Sequence, residues 1–134
     1  MLKLKPEVKE TWFALMDEMA NRQIRGRMKE IKNGGSEDCY CAIGLLGLAC
    51  QRVTGQGEFI DRGSAFSLDG SGGNGWVPIA IGNGVCPLLF SDGWDSKTAR
   101  LFFSDLVIMN DSERLTFAQI KEKMKDTVQH DHRS

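Results

Sequence analysis

Neither a long apolar run nor an excess of one charge occurs in this chain of 134 residues. The longest uncharged apolar stretch, Cys39 to Cys50, is about twelve residues, whereas a membrane-spanning helix needs about twenty. It predicts a buried helix instead. Basic residues number 17 and acidic residues 18, a formal net charge of −1. That balance gives no overall pull toward a nucleic-acid polymer or an anionic membrane, so any anion site must come from local clustering. Histidine is scarce: His130 and His132 are the only two. Without another histidine there is no ordinary base for a cysteine nucleophile. The opening MLKLKPEVKE carries charges every second or third residue and does not read as a secretory signal. Cys39, Cys41, Cys50 and Cys86 are therefore expected as reduced thiols in a cytoplasm rather than as two disulfides.

What is present is globular. An apolar fraction of 41% with 26% charged residues argues against disorder, and the length suits one domain. The expectation is a single globular domain over 1–129, followed by a flexible tail, 130–134.

Three helices stand out. Pro6 suits a first helical position, where a missing donor does no harm. After it, Val8, Trp12, Leu15 and Met19 form one stripe at helical spacing, predicting a helix over about 6–20. A second helix over 39–53 is apolar nearly all round and belongs at the centre of the core. Ser36 or Asp38 would cap its start, Gly55 would close it, and Gly44 and Gly47 would admit another backbone. The third, over 116–128, opens on Thr116 and Gln119, the two ends of a capping box.

Between them, Gln23 to Ile31 changes period. Ile24 and Met28 alternate with Arg25, Arg27 and Lys29, the pattern of a half-buried strand with a cationic outer face, followed by a turn at Asn33-Gly34-Gly35. Residues 55–75 read as a long glycine-rich loop. WVPIAI at 76–81 reads as an edge strand interrupted by Pro78. Val85 to Phe90 is a short apolar segment, and Leu101 to Met109 fits a strand followed by a short helix, with periodicity unable to decide. The expected fold class is α+β: the three helices packed with a small, mainly antiparallel sheet.

Four features could carry chemistry. On an extended backbone, Arg25, Arg27 and Lys29 would project to one side roughly 6 to 7 Å apart. Arginine's planar fork suits phosphate and carboxylate, and the alternative is a charged edge strand protected from aggregation. Trp76 and Trp94 would offer a stacking wall for a base, or belong to the core. Cys39 or Cys41, near a helix N-terminus, would have a lowered thiol pKa and could serve as a nucleophile, which is the enzyme alternative. The spacing of the four cysteines fits no zinc site, and neither a metal nor a cofactor is expected. GSGGNG at 70–75 lacks the Lys-Ser/Thr pair of a phosphate loop, and Asp92 and Asp95 read as turn formers rather than as Mg²⁺ ligands.

Several segments together bear a family likeness. KPEVKETW, the Gly-Arg strand, CYCAIGLLGLAC and MNDSERLTFAQIKEKM resemble a family of small tailed-phage and prophage proteins. The matching positions are Pro6, Glu7 and Trp12; Cys41, Gly44 and Leu45; and Asn110, Asp111, Ser112, Phe117 and Ile120. Tyr40 splits what the family has as a double cysteine, Glu113 stands where it often has glycine, and residues 55–100 carry none of the likeness. The resemblance implies a phage accessory protein of the counter-defence type acting in the host cytoplasm. Such a protein would be non-catalytic, sequestering a small anionic or nucleotide ligand or binding a host factor, and would form a homo-oligomer. Arg25, Arg27 and Lys29 would then hold phosphate, while Asn110, Asp111 and Ser112, with Trp76 or Trp94, would contact hydroxyls and base. An interaction module that takes no small ligand is the remaining expectation.

Overall fold

Pro6 opens helix α1 (Pro6–Glu18), and the stripe of Val8, Trp12, Leu15 and Met16 is buried, with Met19 just past its end. The computed structural model describes residues 3–25, 29–30, 38–60, 65–68 and 85–129. Arg27, the turn at 33–35, Ser36, the glycine-rich stretch at 70–75, the strand expected at 76–81 with Trp76, and the tail at 130–134 lie outside them.

Helix α2 (Ala42–Thr54) lies along α1 and forms the centre of the core. Ala42, Ile43, Leu45, Leu46, Ala49 and Cys50 are all at 1% exposure or less. It begins later than the sequence suggests: Cys39 and Tyr40 are extended, and Cys41, rather than Ser36 or Asp38, is the cap residue, its Sγ accepting from the Gly44 amide at 3.4 Å. Gly55 closes the helix at φ +72°, a left-handed conformation that glycine adopts without strain. The neighbour admitted at Gly47 is the ring of Phe66, not a backbone.

Among the described residues, two two-stranded antiparallel sheets stand in place of the one expected. Strand β1 (Lys29–Glu30) pairs with β2 (Cys39–Tyr40), and β3 (Glu58–Ile60) with β4 (Ala65–Ser67), with Phe59 opposite Phe66. Of the strand expected over Gln23 to Ile31, the described residues show β1 and one isolated parallel bridge between Gln23 and Tyr40. Ile24 N–H donates to the Tyr40 carbonyl, and Tyr40 N–H to that of Arg22, before the chain bends at Arg25. Phe59 stacks edge-on to Phe66 and lies tilted against Tyr40, fastening the second sheet to the first.

The largest correction lies in residues 85–112. Val85–Leu89 is a short helix, α3, whose Pro87 falls in the first turn, where proline is tolerated. Ser96–Val107 is a full helix, α4, in place of the strand suggested by its apolar residues. Its buried face is Ala99, Phe102, Phe103 and Leu106, a helical stripe masked in the sequence by adjacent aromatics. Asp95 caps it by accepting from the Thr98 amide at 2.8 Å, while the Thr98 hydroxyl faces back to the Asp95 amide. The Thr98 amide holds the Asp95 carboxyl below its ordinary value, so the cap contributes above that ordinary range and is lost as pH falls through the lowered one.

Helix α4 runs directly into a π-helical turn, Ile108–Ser112, before α5 (Phe117–Gln129). The capping box expected at the head of α5 is formed: Thr116 N–H donates to Gln119 Oε1 at 2.9 Å, and Gln119 N–H to Thr116 Oγ1 at 3.2 Å. Phe117, Ile120 and Met124 bury its inner face, and Lys121 bridges to Asp17 of α1 at 2.7 Å. The result is an α+β domain in which helices supply nearly all the described core. Among the described residues no helix is long and apolar enough to cross a membrane.

Candidate functional site

Residues 23–25 meet the π-helical turn and the residues just after it through a cluster of side-chain hydrogen bonds. Asn110, only 1% exposed, sits at its centre. Its Oδ1 accepts from the Ala42 amide at 3.2 Å and from Gln23 Nε2 at 2.8 Å. Its Nδ2 donates to the Ile24 carbonyl and to Asp111 Oδ1, both at 2.8 Å. A carboxamide offers two donors and two acceptor sites, so Asn110 is saturated. It ties three distant segments together and has no capacity left for a ligand. Gln23, which sequence reasoning did not single out, also donates to the Leu115 carbonyl at 2.8 Å.

The turn itself departs from ordinary backbone. Glu113 N–H reaches back to the Ile108 carbonyl at 2.8 Å, and Leu115 N–H to that of Met109 at 2.9 Å. Between them Arg114 adopts φ +56°, the one positive value at a described non-glycine residue. The left-handed conformation costs about 1–2 kcal/mol for such a residue. Both π-helical turns and left-handed non-glycine residues concentrate at functional sites. The Arg114 carbonyl, aimed by this conformation, accepts from an Arg25 terminal nitrogen at 3.2 Å.

Of the cations expected side by side, Arg27 lies outside the described residues, and Arg25 and Lys29 hold different partners. Arg25 turns toward Arg114 and is half-buried; its Nε is shielded from solvent and has no hydrogen-bond partner. Lys29 faces inward over Phe59, 4.9 Å from the ring centroid, and over Tyr40 at 5.6 Å, with Asp38 Oδ2 3.5 Å from its ammonium. Lys29 therefore seals the edge of an aromatic cluster and is not a free phosphate donor. Trp94 is half-buried and leans on Phe90 at 6.4 Å, a packing role rather than a stacking wall. Asp111 is half-buried and Ser112 exposed on the same turn. The structure thus brings Arg25 to Arg114, just after the turn that carries Asn110, Asp111 and Ser112, and leaves Lys29 and Trp94 with other partners.

The cysteines are all free. Burial pushes the Cys41 thiol up to about 12; hydrogen bonds from the Gly44 and Ile43 amides pull it back only in part, and the Asp111 charge adds to the rise. Burial likewise raises Cys86 to about 11 and lifts Cys50. The helix N-terminus is present at Cys41, yet desolvation outweighs it, so the thiolate a nucleophile needs does not form near neutral pH. Alkylation with iodoacetamide at pH 8 is expected to label the half-exposed Cys39 first and to leave Cys41 and Cys86 unmodified until the chain unfolds. Rapid native labelling of Cys41 would contradict this. Since these thiols keep their protons in the fold beyond the ordinary value of 9.0, stability falls as pH rises above that value. Among the described residues no group of three His, Cys, Asp or Glu side chains could hold a metal ion.

Comparison of the chain with protein-family models, with curated proteins and with solved structures gives no match.

Proposed function

We propose that this chain is a non-catalytic binding protein that takes a small anionic ligand, of the phosphate or nucleotide type, at the Arg25 corner. The observation that carries the reading is the Arg25 guanidinium: one terminal nitrogen is fixed on the Arg114 carbonyl, while the shielded Nε has no partner. A buried donor left unmade costs about 1–3 kcal/mol. A carboxylate or phosphate oxygen that accepts from it, once the side chain shifts to admit the anion, would recover that cost and use arginine's fork. The left-handed Arg114 and the π-helical turn, which fix the guanidinium, support the same corner. The likeness of Pro6 to Trp12, of Cys41 to Leu45 and of Asn110 to Ile120 to phage proteins supports an accessory role in the host cytoplasm.

Calorimetric and thermal-shift titrations with inorganic phosphate and with a panel of nucleoside mono-, di- and triphosphates test this. At least one is expected to bind. Arg25→Lys is expected to weaken that binding roughly 10- to 100-fold, because a single ammonium replaces a charge-assisted fork. No stabilisation by any member of the panel, with Arg25→Ala melting like the wild type, would remove the reading.

A further inference from the structure

The outer face of α4 carries the two most exposed large apolar side chains among the described residues, Leu101 at 55% and Ile108 at 44%. They lie seven residues apart, the spacing that returns a side chain to the same face of a helix. Between and before them on that face stand Asp105 and Lys97, both exposed and without an ion-pair partner among the described residues. Lys97 and Asp105 lie four residues to either side of Leu101.

Lys97 is in the first turn of α4, beside the Asp95 cap whose carboxylate its charge favours, and Asp105 lies two turns further on. An antiparallel copy of the same helix sets these two charges against each other. With Leu101 on a two-fold axis, Lys97 of one protomer faces Asp105 of its partner, twice over. Ile108 then covers the partner's Trp94 end, where that half-buried ring leans on Phe90. Such an interface is isologous, as two-fold dimers require.

We propose that α4 mediates an antiparallel homodimer through Leu101, Ile108 and the reciprocal Lys97–Asp105 pairs. The helix has 12 residues and spans about 18 Å, so the interface falls short of the roughly 1,600 Å² of a stable complex. The association is correspondingly weak, with a dissociation constant of roughly tens to hundreds of micromolar.

Sedimentation velocity over micromolar to millimolar concentrations tests it with four variants. Lys97→Asp and Asp105→Lys each place like charges opposite one another twice, and each is expected to weaken the dimer at least about fivefold. The double exchange, Lys97→Asp with Asp105→Lys, restores both pairs and is expected to return affinity to within about twofold of the wild type. Leu101→Glu is expected to abolish association. Both positions are exposed, so thermal melts of dilute monomer should shift by no more than about 2 °C, and weakened association is then not due to misfolding. A wild type monomeric at millimolar concentration, a dimer indifferent to the single exchanges, or a double exchange no tighter than the singles would each overturn the proposal.

Discussion

Replacing Asn110 with alanine is expected to destabilise the fold by about 3–5 kcal/mol, at the upper end of single-residue effects. The loss comes from what the side chain leaves behind. The Ala42 amide, the Ile24 carbonyl and the Gln23 carboxamide would all lose a partner at a position only 1% exposed. Each stranded buried group costs about 1–3 kcal/mol. For a domain of this length the melting temperature should drop by roughly 10–15 °C, measured by calorimetry. Asn110→Asp separates the donor from the acceptor. It keeps the accepting oxygen but sets a second carboxylate beside Asp111 and removes the amide donor to Ile24. Burial beside that charge raises the new carboxyl in the folded state, so this variant should lose stability as pH rises from 4 to 7. A melting temperature within about 3 °C of the wild type for Asn110→Ala would show that water satisfies the stranded groups.

Trp12 should be nearly as costly, for a related reason. It is fully buried, lies 5.7 Å from Phe13 and 6.2 Å from Phe102 between ring centroids, and its Nε1–H donates to the Ala42 carbonyl at 3.0 Å. Trp12→Ala opens a cavity at the junction of α1, α2 and α4 and is expected to cost about 4–5 kcal/mol. Trp12→Phe retains much of the volume and loses only the indole bond to a carbonyl that keeps its helical partner, for about 0.5–1.5 kcal/mol. Urea unfolding distinguishes the two, provided that the denaturant slope is unchanged. Asn110 and Trp12 hold the two backbone groups of the same residue, so their effects should fall short of additivity when combined. Strict additivity would mean that the first turn of α2 is held mainly by packing.

The elements whose apolar stripe stands alone were legible in the sequence. Val8, Trp12 and Leu15 mark α1 because polar residues separate them, and Thr116 with Gln119 announces α5 before its stripe begins. Helix α4 was hidden because Leu101, Phe102 and Phe103 are contiguous: one of them faces solvent, and no periodicity says which. Its cap, Asp95 with Thr98, uses an aspartate that equally suits a turn. The cationic strand misled for a different reason. Alternation specifies two faces but not which of them is outward, and the Tyr40–Phe59 cluster drew Lys29 over its rings. Asn110 was noticed as polar and close to a turn, but nothing local reveals that three of its four bonds are spent on residues far away in the chain. The left-handed Arg114 gave no signal at all, since glycine is the residue that normally marks such a position.

The Asn110 clasp also sets a clock. The Ala42 amide cannot meet its side-chain partner until 68 more residues have been added, which at ordinary synthesis rates takes about 3–14 seconds. Throughout that interval the head of the most apolar helix in the chain is open at one end. Any chain cut short after α2 but before Asn110 keeps α1 and α2 and leaves the Ala42 amide without this partner.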